Sequence, residues 1–131
     1  MKILMLLIMI FLHIVDDYYL QGVLARMKQK SFWRENAPDK LYKNDYKVAL
    51  LTHGFSWTFM VMLPVTITMM VSNNYHTVLY IIIFIINMLL HATIDHLKAN
   101  IHTINLIQDQ TCHIAQIVAI WSIFFVSGIL C

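Results

Sequence analysis

Charge is what this chain has least of. Only 12% of its 131 residues are Asp, Glu, Lys or Arg, about half of the roughly 25% usual in a soluble globular domain. With 60% hydrophobic residues set in long blocks, that scarcity argues against a soluble fold and for a membrane. Cysteine is nearly absent. Two residues, Cys112 and Cys131, are too few for a disulfide framework or a Cys-rich zinc site. Cys112 is expected to be a small buried packing residue. The net charge of +2 is small, and its distribution matters more. Seven of the nine basic residues fall between Arg26 and Lys47. Because this run flanks two apolar stretches, it reads as a topology signal, and no nucleic-acid partner is expected.

What the chain does have is apolar helix. Residues 2–27 begin with a wholly apolar run, Ile3 to Leu12, and no small-x-small cleavage site follows it, so a membrane span is expected there and not a signal peptide. Further spans are predicted over about 47–71, 75–98 and 106–131, each long enough to cross a bilayer with some tilt. The predicted architecture is a single all-α domain, an integral membrane four-helix bundle with four transmembrane spans. Residues 28–46 form the one long polar segment, in which Phe32, Trp33, Pro38, Tyr42 and Tyr46 are mixed with lysines. Such mixing suits the interface of an anionic bilayer. The segment reads as an ordinary loop or as a lid over a site. The basic residues predict that this loop faces the cytoplasm and that both termini face outward.

Three His–Asp pairs stand out. His13 and Asp17 lie in the first apolar run, and His91 and Asp95 close the third. Asp109 and His113 give the pair reversed in the fourth. Spacing of i to i+4 puts both members on one helical face. In an up-down bundle the fourth helix runs opposite to the first and third. Reversing the pair there keeps the vertical order, with histidines roughly 6 Å deeper than aspartates at 1.5 Å rise per residue. His53, just inside the second span, can join either layer. Ionisable groups inside an apolar span read as functional.

Seven residues are therefore expected to converge as metal ligands: His13, Asp17, His53, His91, Asp95, Asp109 and His113. Imidazole and carboxylate together suit zinc first, with manganese, iron or nickel as alternatives. Seven candidates exceed one tetrahedral ion. Either two ions sit about 3.5–4 Å apart, or some aspartates orient histidines from behind. Asp17, Asp95 and Asp109 are the catalytic candidates, a spare carboxylate serving as general base. Gln21 and Gln110 suit supporting or substrate hydrogen bonds, and Asp16 is either a supporting group or turned elsewhere. Arg26 and Lys98, near the cytoplasmic mouth, could hold an anionic head group. His76, His96 and His102 are expected to lie outside the cluster.

At these residues the chain resembles a family of small bacterial and phage-encoded integral membrane proteins of unknown function. The resembling pattern is His13, Asp17 and Leu20-Gln21 in the first span, then His53 at the head of the second. His91, Ile94, Asp95 and Lys98 follow as His-x-x-Ile-Asp-x-x-Lys, and Asp109-Gln110 with His113 as Asp-Gln-x-x-His. The match covers nearly the whole chain and implies a bacterial cytoplasmic membrane. It departs at Asp16, where the family has a small residue, and it does not include the basic-aromatic loop. The chain is more distantly similar to predicted membrane-bound metal-dependent hydrolases.

The expected function is a metal-dependent hydrolase embedded in the membrane. It would act on a phospholipid or another amphipathic phosphate or acyl ester at the cytoplasmic leaflet. The alternative is non-enzymatic. It is either a metal or proton carrier, or a metal-stabilised protein that binds and inhibits a membrane partner. Against the carrier, the outer halves of the spans lack ionisable groups apart from Lys2 and His76. The apolar surface is compatible with a monomer in lipid and with a homo-oligomer.

Overall fold

The computed structural model describes residues 2–128. The end of the fourth predicted span, with Cys131, lies outside the described residues. Six α-helices, α1 (Lys2–Ile14), α2 (Leu24–Met27), α3 (Lys30–Asn36), α4 (Asp45–Ser72), α5 (Thr77–His96) and α6 (Leu106–Val126), account for most of the chain. No strand occurs among the described residues. Two helices run on into wider π-helical turns, α1 into Val15–Leu20 and α5 into Leu97–Ile101. Four helical stretches are long and apolar enough to cross a membrane: Lys2–Leu20, Lys40–Ser72, Thr77–Ile101 and Leu106–Val126.

The long helices pack as a closed ring. α1 lies against α4, α4 against α5, α5 against α6, and α6 against α1. α4 supplies most of the interior. Its buried residues Tyr46, Leu50, His53, Trp57, Val61, Val65 and Met69 recur every three or four positions, the period of one helical face. With Met9, Met62, Ile117, Ile120 and Phe124, its inner half forms a dry apolar core. The half nearer the basic segment buries His, Asp and Gln side chains instead. Short connections make the antiparallel order. Asn73 takes the left-handed conformation (φ 53°) that ends α4. A capping box opens α6, with Gln108 N donating to Asn105 Oδ1 at 2.9 Å and Asn105 N to Gln108 Oε1 at 3.0 Å, which satisfies two helix-end donors.

The structure differs from the sequence reading in three places. The first helix ends at Leu20, not Met27, because the chain turns at Gly22 (φ 50°), a conformation that costs glycine little. The segment read as an open loop contains α3 and a 3₁₀ turn, Lys40–Tyr42. It is tied down by Asn100, which accepts from Lys30 N at 2.7 Å and donates to the Lys28 carbonyl at 2.9 Å. Trp33 Nε1 adds a 2.8 Å bond to the Met27 carbonyl. Cys112 is exposed rather than buried, because it sits at the flank of the inward face of α6, which is centred on Asp109, His113, Gln116 and Ile120.

Candidate metal centre

The three pairs meet across the bundle. His13 Nδ1 lies 3.7 Å from Asp17, His91 Nε2 3.8 Å from Asp95 and His113 Nε2 3.4 Å from Asp109. Cross-helix distances are as short. Asp95 stands 3.6 Å from both His53 Nε2 and His113 Nε2, and Asp17 Oδ1 lies 3.1 Å from His53 Nε2 and 4.0 Å from His91 Nε2. The seven residues thus come from α1 with its π turn, α4, α5 and α6, one helix each side of the ring. The histidines form a ring layer. His91 stacks on His113 at 4.2 Å and on Trp57 at 4.3 Å, and meets His53 edge-on at 4.9 Å.

Hydrogen-bond chemistry separates ligands from supports. Trp57 Nε1 can only donate, and it donates to His13 Nδ1 at 2.7 Å. A neutral His13 then carries its proton on Nε2, which donates to Gln110 Oε1 at 3.1 Å. Both nitrogens of His13 are engaged, so it holds the frame and offers no free lone pair. His113 is the reverse case. Its Nδ1 faces Gln116 Oε1 at 3.2 Å, an acceptor only, so Nδ1 bears a proton, while its Nε2 faces Asp109 at 3.4 Å and Asp95 at 3.6 Å. His53 is placed differently. Its Nε2 lies within hydrogen-bond reach of both Gln21 Nε2 (3.2 Å) and Asp17 Oδ1 (3.1 Å), and Asp16 Oδ2 lies 3.5 Å from its Nδ1. Asp16 also accepts 2.6 Å from Ser56 Oγ. Asp16 therefore backs His53, while Asp17 faces inward. Both adjacent acids reach the interior because they sit in the π turn, which changes their spacing around the axis.

Imidazole nitrogens thus face carboxylates across the bundle at 3.1–4.0 Å. Of seven buried side-chain polar atoms without a hydrogen bond among the described residues, five lie here: Asp16 Oδ2, both His91 nitrogens, Asp109 Oδ1 and His113 Nε2. Each such atom costs about 1–3 kcal/mol, so the cluster is unsatisfied as it stands. Two three-residue sets could hold an ion, Asp17–His53–His91 and His91–Asp95–His113, their ligand atoms within 4.8 Å of one another. A tetrahedral ion with ligands at about 2.0–2.2 Å sets donor atoms roughly 3.3–3.6 Å apart. The observed spacings of 3.1–4.0 Å bracket that range. Charge fits as well. Four buried or nearly buried carboxylates (Asp16, Asp17, Asp95, Asp109) face two ammonium groups, Lys28 and Lys98. With neutral imidazoles the deficit equals one divalent cation.

The lysines border a cavity of about 380 Å³ whose wall includes Asp17, Asp95, Gln21 and Gln110. Lys28 Nζ lies 2.5 Å from Asp95, and Lys98 Nζ lies 2.6 Å from Asp109. Arg26 does not line this cavity. Its guanidinium rests over the Phe32 ring at 5.5 Å, and Lys28 takes the inward place. Gln110 Nε2 donates to Asp17 Oδ2 and Asp109 Oδ2. His96 stacks on Tyr46 instead of joining the cluster. His102 lines the cavity wall, and His76 precedes α5 at the far end.

Sequence reasoning missed Trp57, Ser56, Gln116 and Lys28. The first three carried a signal. Ser56 and Trp57 stand three and four residues after His53, and Gln116 three after His113, so each shares a ligand's face. Lys28 carried none, because it follows a turn whose geometry is set by Gly22.

Comparison of the chain with family models, curated proteins and solved structures finds no match.

Proposed function

We propose that the chain is a four-span membrane protein carrying a metal-dependent hydrolase centre at its cytoplasmic end. Support for the membrane comes from the outer surface. Ile3, Leu7 and Phe11 of α1, Phe55 and Phe59 of α4, Ile82 and Ile86 of α5 and Ile107 of α6 are exposed. A soluble monomer rarely leaves such a continuous apolar girdle in water. The cations between Arg26 and Lys47 support an orientation with α2 and α3 on the cytoplasmic side of a bacterial inner membrane and both termini outside.

The observation that carries the hydrolase reading is the buried His and Asp cluster, whose Asp17 and Asp95 line a cavity walled by two lysines. When bound, a divalent ion there supplies Lewis acidity, polarising a phosphoryl or acyl oxygen and making water a nucleophile at neutral pH. The chain's residues do the rest. Asp17 lines the cavity, and with an ion in the His91–Asp95–His113 set it is the spare carboxylate that can take a proton from water. Lys28 and Lys98 can turn from their carboxylates toward an anionic group once the ion neutralises the site. A groove of about 530 Å³ between α1 and α6 shares Tyr18 and Gln110 with the cavity and is otherwise lined by His13, Ile14, Tyr19 and Ile114. A polar chamber beside an apolar, lipid-facing groove suits an amphipathic ester. The carrier alternative is disfavoured, because Val61, Met62, Val65, Ile120 and Phe124, each at most 1% exposed, close the bundle beyond the cluster.

Elemental mass spectrometry on detergent-purified, chelator-free protein tests the centre. About one or two equivalents of zinc, manganese, iron or nickel are expected, lost in His91→Ala and Asp95→Asn and retained in His76→Ala. Equal metal in all four proteins removes the site. The loaded protein is then given phosphatidic acid, phosphatidylglycerol and a short-chain phosphate ester in mixed micelles. Turnover of none of them removes the hydrolase reading.

A further inference from the structure

A second cavity, of about 370 Å³, lies in the basic segment, apart from the metal centre. Four cations line it: Lys30, Arg34, Lys40 and Lys43. None of them forms an ion pair among the described residues, where the lysine ion pairs are those of Lys28 and Lys98. The wall has one acid, Asp39, and its carboxylate already accepts 2.8 Å from Leu41 N as the cap of the 3₁₀ turn. Glu35 and Asp45, the nearest other acids in sequence, are not in the wall. Four like charges around one hollow repel each other, and the single Asp39 carboxylate offsets only one of them.

The rest of the wall is apolar and fixed. Trp33 and Tyr46 contribute their rings, and Ala37 and Pro38 close one side. Trp33 is oriented by its bond to the Met27 carbonyl and packs against Tyr46, Leu50 and Ala92. Lys30 lies over the Tyr46 ring at 5.0 Å, and its backbone is held by Asn100. The hollow is therefore built by α3, the 3₁₀ turn and the start of α4, where the first apolar residues of a long helix begin. Cations beside Trp and Tyr at the end of such a helix are the arrangement that meets phospholipid head groups.

We infer that this cavity is a binding site for the phosphate of an anionic phospholipid head group. The cations take the phosphate oxygens, and Trp33, Tyr46 and Pro38 face the glycerol and first methylenes. Free inorganic phosphate shares the recognised chemistry. The site does not depend on the metal centre, since none of its four cations borders that cavity.

Native mass spectrometry of the full chain in detergent tests this with phosphatidylglycerol and phosphatidylcholine added at equal concentration. The wild type is expected to retain phosphatidylglycerol preferentially. Lys40→Gln/Lys43→Gln, a pair of exposed positions, is expected to weaken that retention about 30-fold, the effect of removing two interfacial cations. Inorganic phosphate is titrated in parallel. Displacement at low millimolar phosphate assigns the site to the phosphate group alone, and resistance assigns it to the whole head group. Equal retention of the two lipids by the wild type, or of phosphatidylglycerol by wild type and variant, overturns the inference. The metal content of the variant reports separately on the centre and is expected to be unchanged.

Discussion

Two neighbouring aspartates show how much one position decides. Asp17 faces the histidines, whereas Asp16 stands behind His53 with Ser56 as its second partner. Carboxylates in that supporting position fix the ring and raise its basicity, and losing one costs about 10–100-fold in metal affinity. Asp16→Asn is therefore expected to bind metal about 10–100-fold more weakly, while Asp17→Asn, which removes a donor, abolishes one three-residue set. Competition titration with a chelating dye measures both. Equal losses would mean that the two acids share one role. Gln116→Leu belongs to the same test. It removes the acceptor that His113 Nδ1 faces, so the ring loses its fixed orientation and metal affinity is expected to fall about 10–100-fold.

At the scale of helices, the close contact is between α4 and α5. A Cβ on Gly54 would meet the Met88 carbonyl at 2.7 Å and the Ala92 methyl at 3.4 Å. Small residues let membrane helices approach in this way. Gly54→Ala is expected to push α5 off α4 and cost about 1–3 kcal/mol, read as earlier unfolding in a thermal scan in detergent. The shift would also move His53 relative to His91, so metal loading should fall with it. A variant of wild-type stability and loading would show that the helices have room to give. The four apolar spans and the i to i+4 pairs were legible beforehand, because both depend only on local helical geometry. The π turns were not. They widen the helix at Val15–Leu20 and Leu97–Ile101, beside the buried polar groups, where interhelix bonds compensate for a poorer local one.

At the scale of the molecule, the apolar girdle and the one-sided charge make orientation the central expectation. In a Cys112→Ser/Cys131→Ser background, Lys40→Cys should react with an impermeant maleimide only from the cytoplasmic side. Labelling in intact cells from outside would invert the bundle and put the cavity on the other face. The metal centre's place in one half gives the assembly its polarity. Beyond it the interior is Met, Val, Ile and Phe, with Trp57 as the boundary between the two halves.

The sequence by itself determined four long apolar helices, their antiparallel order and the vertical alignment of three His–Asp pairs. Hydropathy and the 3.6-residue period are local properties, so neighbours in the chain suffice to set them. Only the tertiary structure decided which nitrogens remain free. His13 is engaged because Trp57 arrives from another helix, and Asp16 turns to His53 across a π turn. Lys28, not Arg26, reaches the aspartates after the bend at Gly22. Each of these depends on distances between segments far apart in sequence, which no local pattern encodes.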